Sequence, residues 1–450
     1  MPQLIPPEEL YSLLVWFAPC FTQPSFAHFV SFITCLIADL GRATATTVYR
    51  TSIGNRHWTN YSRFLSVHRW SVRELSAELL RLLIARLGLW LDDQGRQRLC
   101  LVLDETMVAK SSRRMFGVAW QRNTHRGWCG PSHTLGHYWL MLGLLVRVGG
   151  RAFCLPLAFG LYRQKKHCPP EQYRKPCEVA LELLESIQWP QGPDIVRTVV
   201  ADAGFADRHL LRWCDRNQFV AIVRGRIDAR VHELFVQQRS PLRGRPRKYG
   251  ETICLRTWAK DERNFSRTVC LYQARTQARL TSVVGWHRAS GLPMRFVIVR
   301  CPDKDDMVIM STDLSLTPRE IAHLYADRFS IEMTFRELKQ HFGLGHYQVR
   351  LPEAMLRHVH LSAVACALTQ LLTLCPPASG WAGAGAWFKA TPWRGADAVV
   401  SVRDTQLLLR WLSETGTYHH LASQGRVRVN SHAPSTAPSR AKTHNKNAEP

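Results

Sequence analysis

Between residues 8 and about 93 the apolar positions recur at helical intervals. The clearest stretch is "SVRELSAELLRLLIARLGLWL", where Ser71 and Glu74 stand in capping-box spacing ahead of Leu75, Leu79, Leu82 and Leu83. From residue 98 the rhythm changes. "LCLVLDET", "HYWLMLGLLVRV" and "AFCLPLAFGLY" are strand-like apolar runs, the last two separated by Gly149-Gly150. A helix follows in "EQYRKPCEVALELLESI", beginning at Pro176 because proline suits a first turn and not a helix interior. "DIVRTVVAD" predicts a buried strand, "DRHLLRWCDRN" a helix and "FVAIVRG" another strand. Three strands, then helix, strand, helix and strand, predict an α/β fold with a mixed sheet.

Residues 226–312 break that alternation. "ICLRTWAK", "RTVCLYQAR", "RLTSVVGWHR" and "MRFVIVRC" predict strands with no helix between them, a β-rich insertion. In it, Arg243-Gly244-Arg245-Pro246 is an extended basic tract that suits phosphates or an A·T minor groove. Helical pattern returns at Thr317, an N-cap followed by Pro318 and Glu320. It predicts one helix running through Lys339 to a stop at Gly343-Leu344-Gly345. A second apolar helix is predicted over roughly 353–374, and the Pro/Ser-rich tail from about 430 is expected to be disordered.

Charge changes the picture. The 450 residues hold 59 Lys+Arg against 35 Asp+Glu, a net +24, within an otherwise globular composition of 46% hydrophobic and 21% charged residues. Such self-repulsion is tolerated when the partner is a polyanion, so nucleic acid leads and an acidic membrane surface follows. The stretch "GNRHWTNYSRFLSVHRW" interleaves Arg56, Arg63 and Arg69 with Trp58, Tyr61, Phe64 and Trp70. It fits either phosphate contacts with base stacking or an amphipathic helix pair with a basic outer face. The 13 cysteines contain no Cys-x-x-Cys pair, and Cys100, Cys154, Cys254 and Cys366 lie in apolar runs, as small buried residues in a reducing cytosol do. No signal peptide is expected at the N-terminus. "MLRHVHLSAVACALTQLLTLC" carries Arg357, His358 and His360 and falls short of a clean membrane span.

Three acids stand out. Asp104 ends the run "LCLVL" and Asp202 ends "IVRTVVA", where a carboxylate at the C-terminal end of a buried strand sits at the edge that α/β sheets use for sites. Each alone reads more readily as an ordinary turn cap, and it is the pair of such strands that points to a site. The third lies in "YADRFSIEMTFRELK". On one continuous helix Tyr325, Arg328, Glu332 and Lys339 fall within an arc of about 60°. Leu324, Ile331, Phe335, Leu338 and Phe342 form a docking stripe beside them, and Asp327, Arg336 and Glu337 are expected to face solvent. Three acids beside Arg and Lys on a basic protein suit two-metal phosphoryl transfer with Mg²⁺, since the ligands are hard oxygens.

These residues resemble a known family. Tyr325, Arg328, Glu332 and Lys339 match the Tyr-x2-Arg-x3-Glu-x6-Lys signature of bacterial insertion-sequence DDE transposases, and "LDET" and "ADAGF" resemble that group's two aspartate motifs. The resemblance covers about residues 50–350. It implies an RNase H-like mixed-sheet core in two parts, 94–225 and 313–375, around the β-rich insertion at 226–312. A helical N-terminal DNA-binding domain at 1–93, a helical C-terminal region at 376–429 and a tail at 430–450 complete the expected organisation. It also implies a catalytic and metal-binding triad of Asp104, Asp202 and Glu332, with two Mg²⁺ ions or Mn²⁺ in their place. Tyr325, Arg328 and Lys339 would grip DNA phosphates. The expected activity is cleavage at transposon ends and strand transfer of the 3′-hydroxyl into target DNA by a homodimer on double-stranded DNA, in the cytoplasm at a bacterial nucleoid, with no membrane partner. A flipped base held by a Trp of the insertion is a feature of some relatives; Trp258 and Trp286 stand there, each expected to be packed. An RNase H-like nuclease without strand transfer, and a DNA-binding regulator that keeps the fold, are the alternative readings.

Overall fold

The computed structural model describes residues 3–52, 57–123, 131–192, 194–234, 249–272, 276–302, 304–377 and 400–423. Arg56, the Arg243–Pro246 tract and the tail from 430 lie outside the described residues.

Five helices open the chain: α1 (Glu8–Val15), α2 (Gln23–Ala38), α3 (Ala45–Thr51), α4 (Thr59–Ser66) and α5 (Val72–Leu87). The Ser71 hydroxyl accepts from the Arg73 and Glu74 amides at 3.2 and 3.4 Å, and Gly88 at φ +72° ends α5. Tyr61, Phe64 and Trp70 are buried, and the Trp70 indole donates to the Phe64 carbonyl at 2.8 Å. These rings are core, with Arg63 and Arg69 outside them, so the amphipathic reading of this segment holds for them. Trp58 alone of the four aromatics is exposed.

The strands that follow are β1 (Trp90–Leu91), β2 (Gln97–Ala109), β3 (Ala119–Arg122), β4 (His133–Val148) and β5 (Arg151–Tyr162). Then come α6 (Pro176–Glu185), β6 (Ile195–Ala201), α7 (Arg208–Arg216) and β7 (Phe219–Gly225). Neighbours in the sheet run β5-β4-β2-β6-β7, with β2, β6 and β7 parallel and the rest antiparallel. This is the RNase H-like mixed sheet. Strand β2 continues five residues past Asp104 because β4 pairs with it as far as Ala109, whereas its ladder with β6 stops at Leu103.

The β-rich segment supplies β8 (Val231–His232), β9 (Thr252–Ile253), β10 (Arg267–Leu271), β11 (Thr276–His287), β12 (Leu292–Arg300) and β13 (Met307–Ser311). Strand β13 pairs with β7, so these strands extend the same sheet. One expectation fails here: Leu255–Lys260 is a helix, α8, and not a strand. Leu255 and Ala259 are the buried pair, a four-residue interval, and the Trp258 indole reaches across to Thr281 Oγ1 at 3.0 Å. Cys254, expected inside, is exposed; Cys100, Cys154 and Cys366 are buried.

The predicted long helix is two, α9 (Pro318–Asp327) and α10 (Ser330–Gln340). At the joint the amides of Phe329, Ile331 and Glu332 bond three residues back, at 3.0–3.1 Å, in the tighter 3₁₀ pattern. Tyr325 and Arg328 therefore belong to one segment and Glu332 and Lys339 to the next, so a single 60° arc does not hold. After α10, α11 (Pro352–Leu374) runs through the centre of the molecule against β5, α2, α4 and α5, buried nearly all round. Its polar residues serve that packing: Arg357 donates to the Leu65 and Trp70 carbonyls at 3.2 and 2.7 Å, and His360 Nε2 accepts from the Phe159 amide at 3.2 Å. Among the described residues no helix is long and apolar enough to cross a membrane. The last helix, α12 (Val402–Ser423), packs on α2 and α11.

Candidate active site

The parallel ladder of β2 and β6 ends with Leu103 opposite Ala201. The next residue on each strand is Asp104 and Asp202, so register alone sets the two carboxylates side by side, about 4.8 Å apart in backbone. Above them lies the α9–α10 joint. Arg328 donates from Nη1 to Asp104 Oδ2 at 2.6 Å, and the Tyr325 hydroxyl donates to Asp202 Oδ1 at 3.0 Å. The Glu105 amide holds the other Asp104 oxygen at 2.8 Å. The Arg328 guanidinium also lies over the Tyr325 ring at 5.4 Å, and its Nε is buried without a partner. Glu332 is exposed on the first turn of α10 and close enough to act on Arg328.

Electrostatics ties these groups into one unit. Burial pushes the Asp104 carboxyl above its ordinary range; Arg328 and the Glu105 amide pull it back, and Asp202 pushes it further up. Burial likewise raises the Tyr325 phenol. For Arg328 burial works against the charge, but Asp104, Tyr325, Asp202 and Glu332 together hold the guanidinium above its usual value. The structure thus gathers Asp104, Asp202, Tyr325, Arg328 and Glu332. Lys339 stands apart, exposed in the last turn of α10 and roughly 10 Å along the axis from Glu332.

Two charges expected in solvent are engaged instead. Asp327 accepts from Arg147 Nε at 2.6 Å, and Glu337 accepts from Gln370 Nε2 at 3.0 Å, because the joint turns the two segments differently against β4 and α11. Four neighbours of the site were not anticipated. Glu105 follows Asp104 but points to the opposite face, where Tyr138 donates to it at 3.0 Å. Its carboxyl is raised by burial and by Asp104 and Asp202. Arg224 on β7 and Tyr272 after β10 lie close enough to act on these groups. Burial raises the Tyr272 phenol, and Arg328 and Arg224 oppose that rise. Only the adjacency of Glu105 to Asp104 was visible in the chain; the others depend on strand register.

The donor set suits Mg²⁺: hard carboxylate oxygens whose mutual repulsion a cation would relieve. Arg328 is the cation that relieves it here. Among the described residues no three acidic, histidine or cysteine side chains are gathered closely enough to hold an ion.

Comparison with known families decides the class. The profile of the DDE superfamily endonucleases matches residues 16–290. The chain belongs to that family. Its matched span takes in both aspartates and most of the sheet. A search against curated proteins finds no match. Among solved structures, the Drosophila P element transposase strand transfer complex is similar at 11% identity over 88% of this chain and 80% of that one, with a TM-score of 0.19. A likeness that slight carries no structural argument about this endonuclease. DDE superfamily endonucleases as a class use divalent metals, in keeping with the oxygen-rich donor set.

Proposed function

We propose that the chain is the transposase of a bacterial insertion sequence, cutting DNA at its element's ends and joining the freed 3′-hydroxyl to target DNA. The observation that carries this reading is the pairing of Asp104 and Asp202 at one ladder end, with Arg328 and Tyr325 bonded to them and Glu332 close to Arg328. Two Mg²⁺ ions, or Mn²⁺, held by Asp104, Asp202 and Glu332 would supply the Lewis acidity that activates a water or hydroxyl and stabilises the leaving oxygen.

The chain's own residues then have defined work. Arg328 neutralises the acid pair and would be free to leave Asp104 if another cation were held there. Its planar fork can then clamp a phosphate through two parallel bonds. Tyr325, which now donates to Asp202, would then be able to offer its O–H to the same phosphate. A shift of α10 about its joint with α9 would bring the exposed Glu332 onto the aspartates. Lys339 meets the backbone further along the strand. The helical segment at 1–93 is proposed to bind the transposon ends, and two copies to hold two ends in one complex.

The test is a cleavage and joining assay on DNA carrying the element's ends. Wild-type protein with Mg²⁺ is expected to nick the ends and produce joined product with a target plasmid. Asp202→Asn and Glu332→Gln are expected to lower both by about 10⁴-fold, some 5 kcal/mol of transition-state stabilisation. Full activity in either variant overturns the assignment. Cleavage without joining reduces the protein to a nuclease.

A further inference from the structure

Beyond the catalytic groups, the same sheet edge carries a basic shelf. Strand β3 continues the sheet beside β4 at the level where β5 has ended, with Trp120 opposite Leu135 and Arg122 opposite His133. The segment after β5 folds against it: Gln164 Nε2 donates to the Trp120 carbonyl at 2.8 Å and to Gln121 Oε1 at 2.9 Å. The two pieces form one surface. Residues 110–123 contain four Lys/Arg and no acid, and residues 163–175 contain five against Glu171 alone. Arg113, Arg114, Arg122, Lys165 and Lys166 are exposed there, and none forms a salt bridge among the described residues. Trp120 is 48% exposed in their midst.

Alternation fixes which way the β3 part of the shelf faces. Asp104 pairs with Met141, so the odd-numbered residues of β4 share its face, and Trp120 and Arg122, opposite Leu135 and His133, share it too. Trp120 lies six residues along β4 from the Asp104 level, roughly 20 Å. That span is about six base-pair steps of a duplex.

We infer that this shelf binds the DNA duplex about six base pairs from the scissile phosphate. The inference rests on the DNA-cutting reading above and extends it to a surface no catalytic residue touches. Unpaired cations meet phosphates, and the Trp120 ring lies against the backbone sugars between them. A membrane surface fits the charge but not the shape, since the shelf is an edge in line with the carboxylates and its two exposed rings, Phe116 and Trp120, offer little to insert.

Full-length protein is titrated with a fluorescently labelled mixed-sequence duplex over a series of salt concentrations, without metal so that nothing is cut. The variant Arg122→Ala/Lys165→Ala/Lys166→Ala is compared with Arg86→Ala/Arg151→Ala/Arg216→Ala, which removes equal charge from the opposite end of the strands. The shelf variant is expected to bind at least about tenfold more weakly, with a salt slope shallower by up to about 2.7, or 0.9 per phosphate contact. Trp120→Ala is expected to weaken binding with the slope unchanged. On a second duplex that carries the element's end, hydroxyl-radical footprinting of the shelf variant is expected to show lost protection about six base pairs from the cleavage position mapped with the wild-type protein. Equal losses in the two triple variants, or no loss in the shelf variant, overturn the shelf while leaving the DNA reading intact. Wild-type protein that does not bind the duplex at all overturns the DNA reading itself.

Discussion

At the start of β2 the Asp92 carboxylate is almost wholly enclosed by Arg98 Nη2 at 2.8 Å and Arg96 Nε at 2.9 Å, with Asp313 beyond and Thr198 taking the other Arg98 nitrogen. Further along, where the ladder of β2 with β6 stops, Asp104 meets one guanidinium, Arg328, and its partner aspartate faces it across the ladder. Side chains at the first end are 0% and 1% exposed; at the second they are 12% and 18% exposed. The consequences are opposite in sign. For Asp92, burial is outweighed by the Arg96 amide and two guanidiniums, and the carboxyl sits below its ordinary value. For Asp104, burial and Asp202 prevail and the carboxyl sits above it. One end of the strand has enough partners to make its charge stabilising. The other leaves its charge under-compensated even with Arg328 beside it, as is common for carboxylates at functional sites.

The largest expected effect separates these ends by isosteric neutralisation. A depressed folded pKa means Asp92 contributes stability above its unfolded value of 3.8, lost as pH falls through the folded value. Asp92→Asn is therefore expected to cost about 3–5 kcal/mol at neutral pH, leaving the buried Arg98 guanidinium short of an anion. A raised folded pKa means the Asp104 charge costs stability once pH passes 3.8 and rises through the folded value. Asp104→Asn is expected to leave metal-free stability unchanged or raised while abolishing cleavage. Urea unfolding of both variants at neutral pH checks the order. Equal destabilisation would show that the two ends are one kind of structural ion pair.

Much of this contrast was visible along the chain, and the missing part has a physical pattern. Asp104 and Asp202 stood out because each follows a buried run, and composition alone set the capping residues Ser71 and Thr317. That the two aspartates share a ladder end depends on the pairing of Leu103 with Ala201, a long-range register that no local period encodes. The joint at Arg328 was hidden for a related reason: its residues keep helical backbone angles and helical composition, and only the hydrogen bonds shorten by one residue. Segment 255–260 shows the limit of β-like composition, since a four-residue burial interval prevailed over it. In α4 the aromatics were legible as a group but not in direction, because helical spacing does not say which face meets the core.

Glu337 sharpens the comparison from between the two extremes. It lies on α10, half-buried, with Gln370 as its hydrogen-bond donor, and burial pushes its carboxyl from 4.5 up to about 7 despite Gln370 and Arg336. Gln370 Oε1 is itself buried and without a partner. A protonated Glu337 can donate to it. A raised pKa gives stability that is full below pH 4.5 and lost as pH rises to about 7. The loss amounts to ~3 kcal/mol. Glu337→Gln supplies a permanent donor, so it is expected to raise the melting temperature above pH 7 and to change it little near pH 4. Melting curves of the two proteins across that range are the check. Parallel profiles would mean that Gln370 and Glu337 are not coupled through a proton.

Lys339 offers the smallest effect and the finest distinction. It is exposed, it is the basic residue of the last turn of α10, and it lies well beyond the aspartates. Its contribution to the helix end is ~0.3–1 kcal/mol. If it holds a phosphate away from the reacting one, it binds ground state and transition state alike. Lys339→Ala is then expected to weaken DNA binding severalfold and to lower the salt slope by about 0.9. Cleavage at saturating DNA should stay near wild type, and Lys339→Arg should restore the binding. A fall in the saturated cleavage rate comparable to that of Asp202→Asn would place Lys339 with the reacting atoms, and so require α10 to move much further than its joint with α9 suggests.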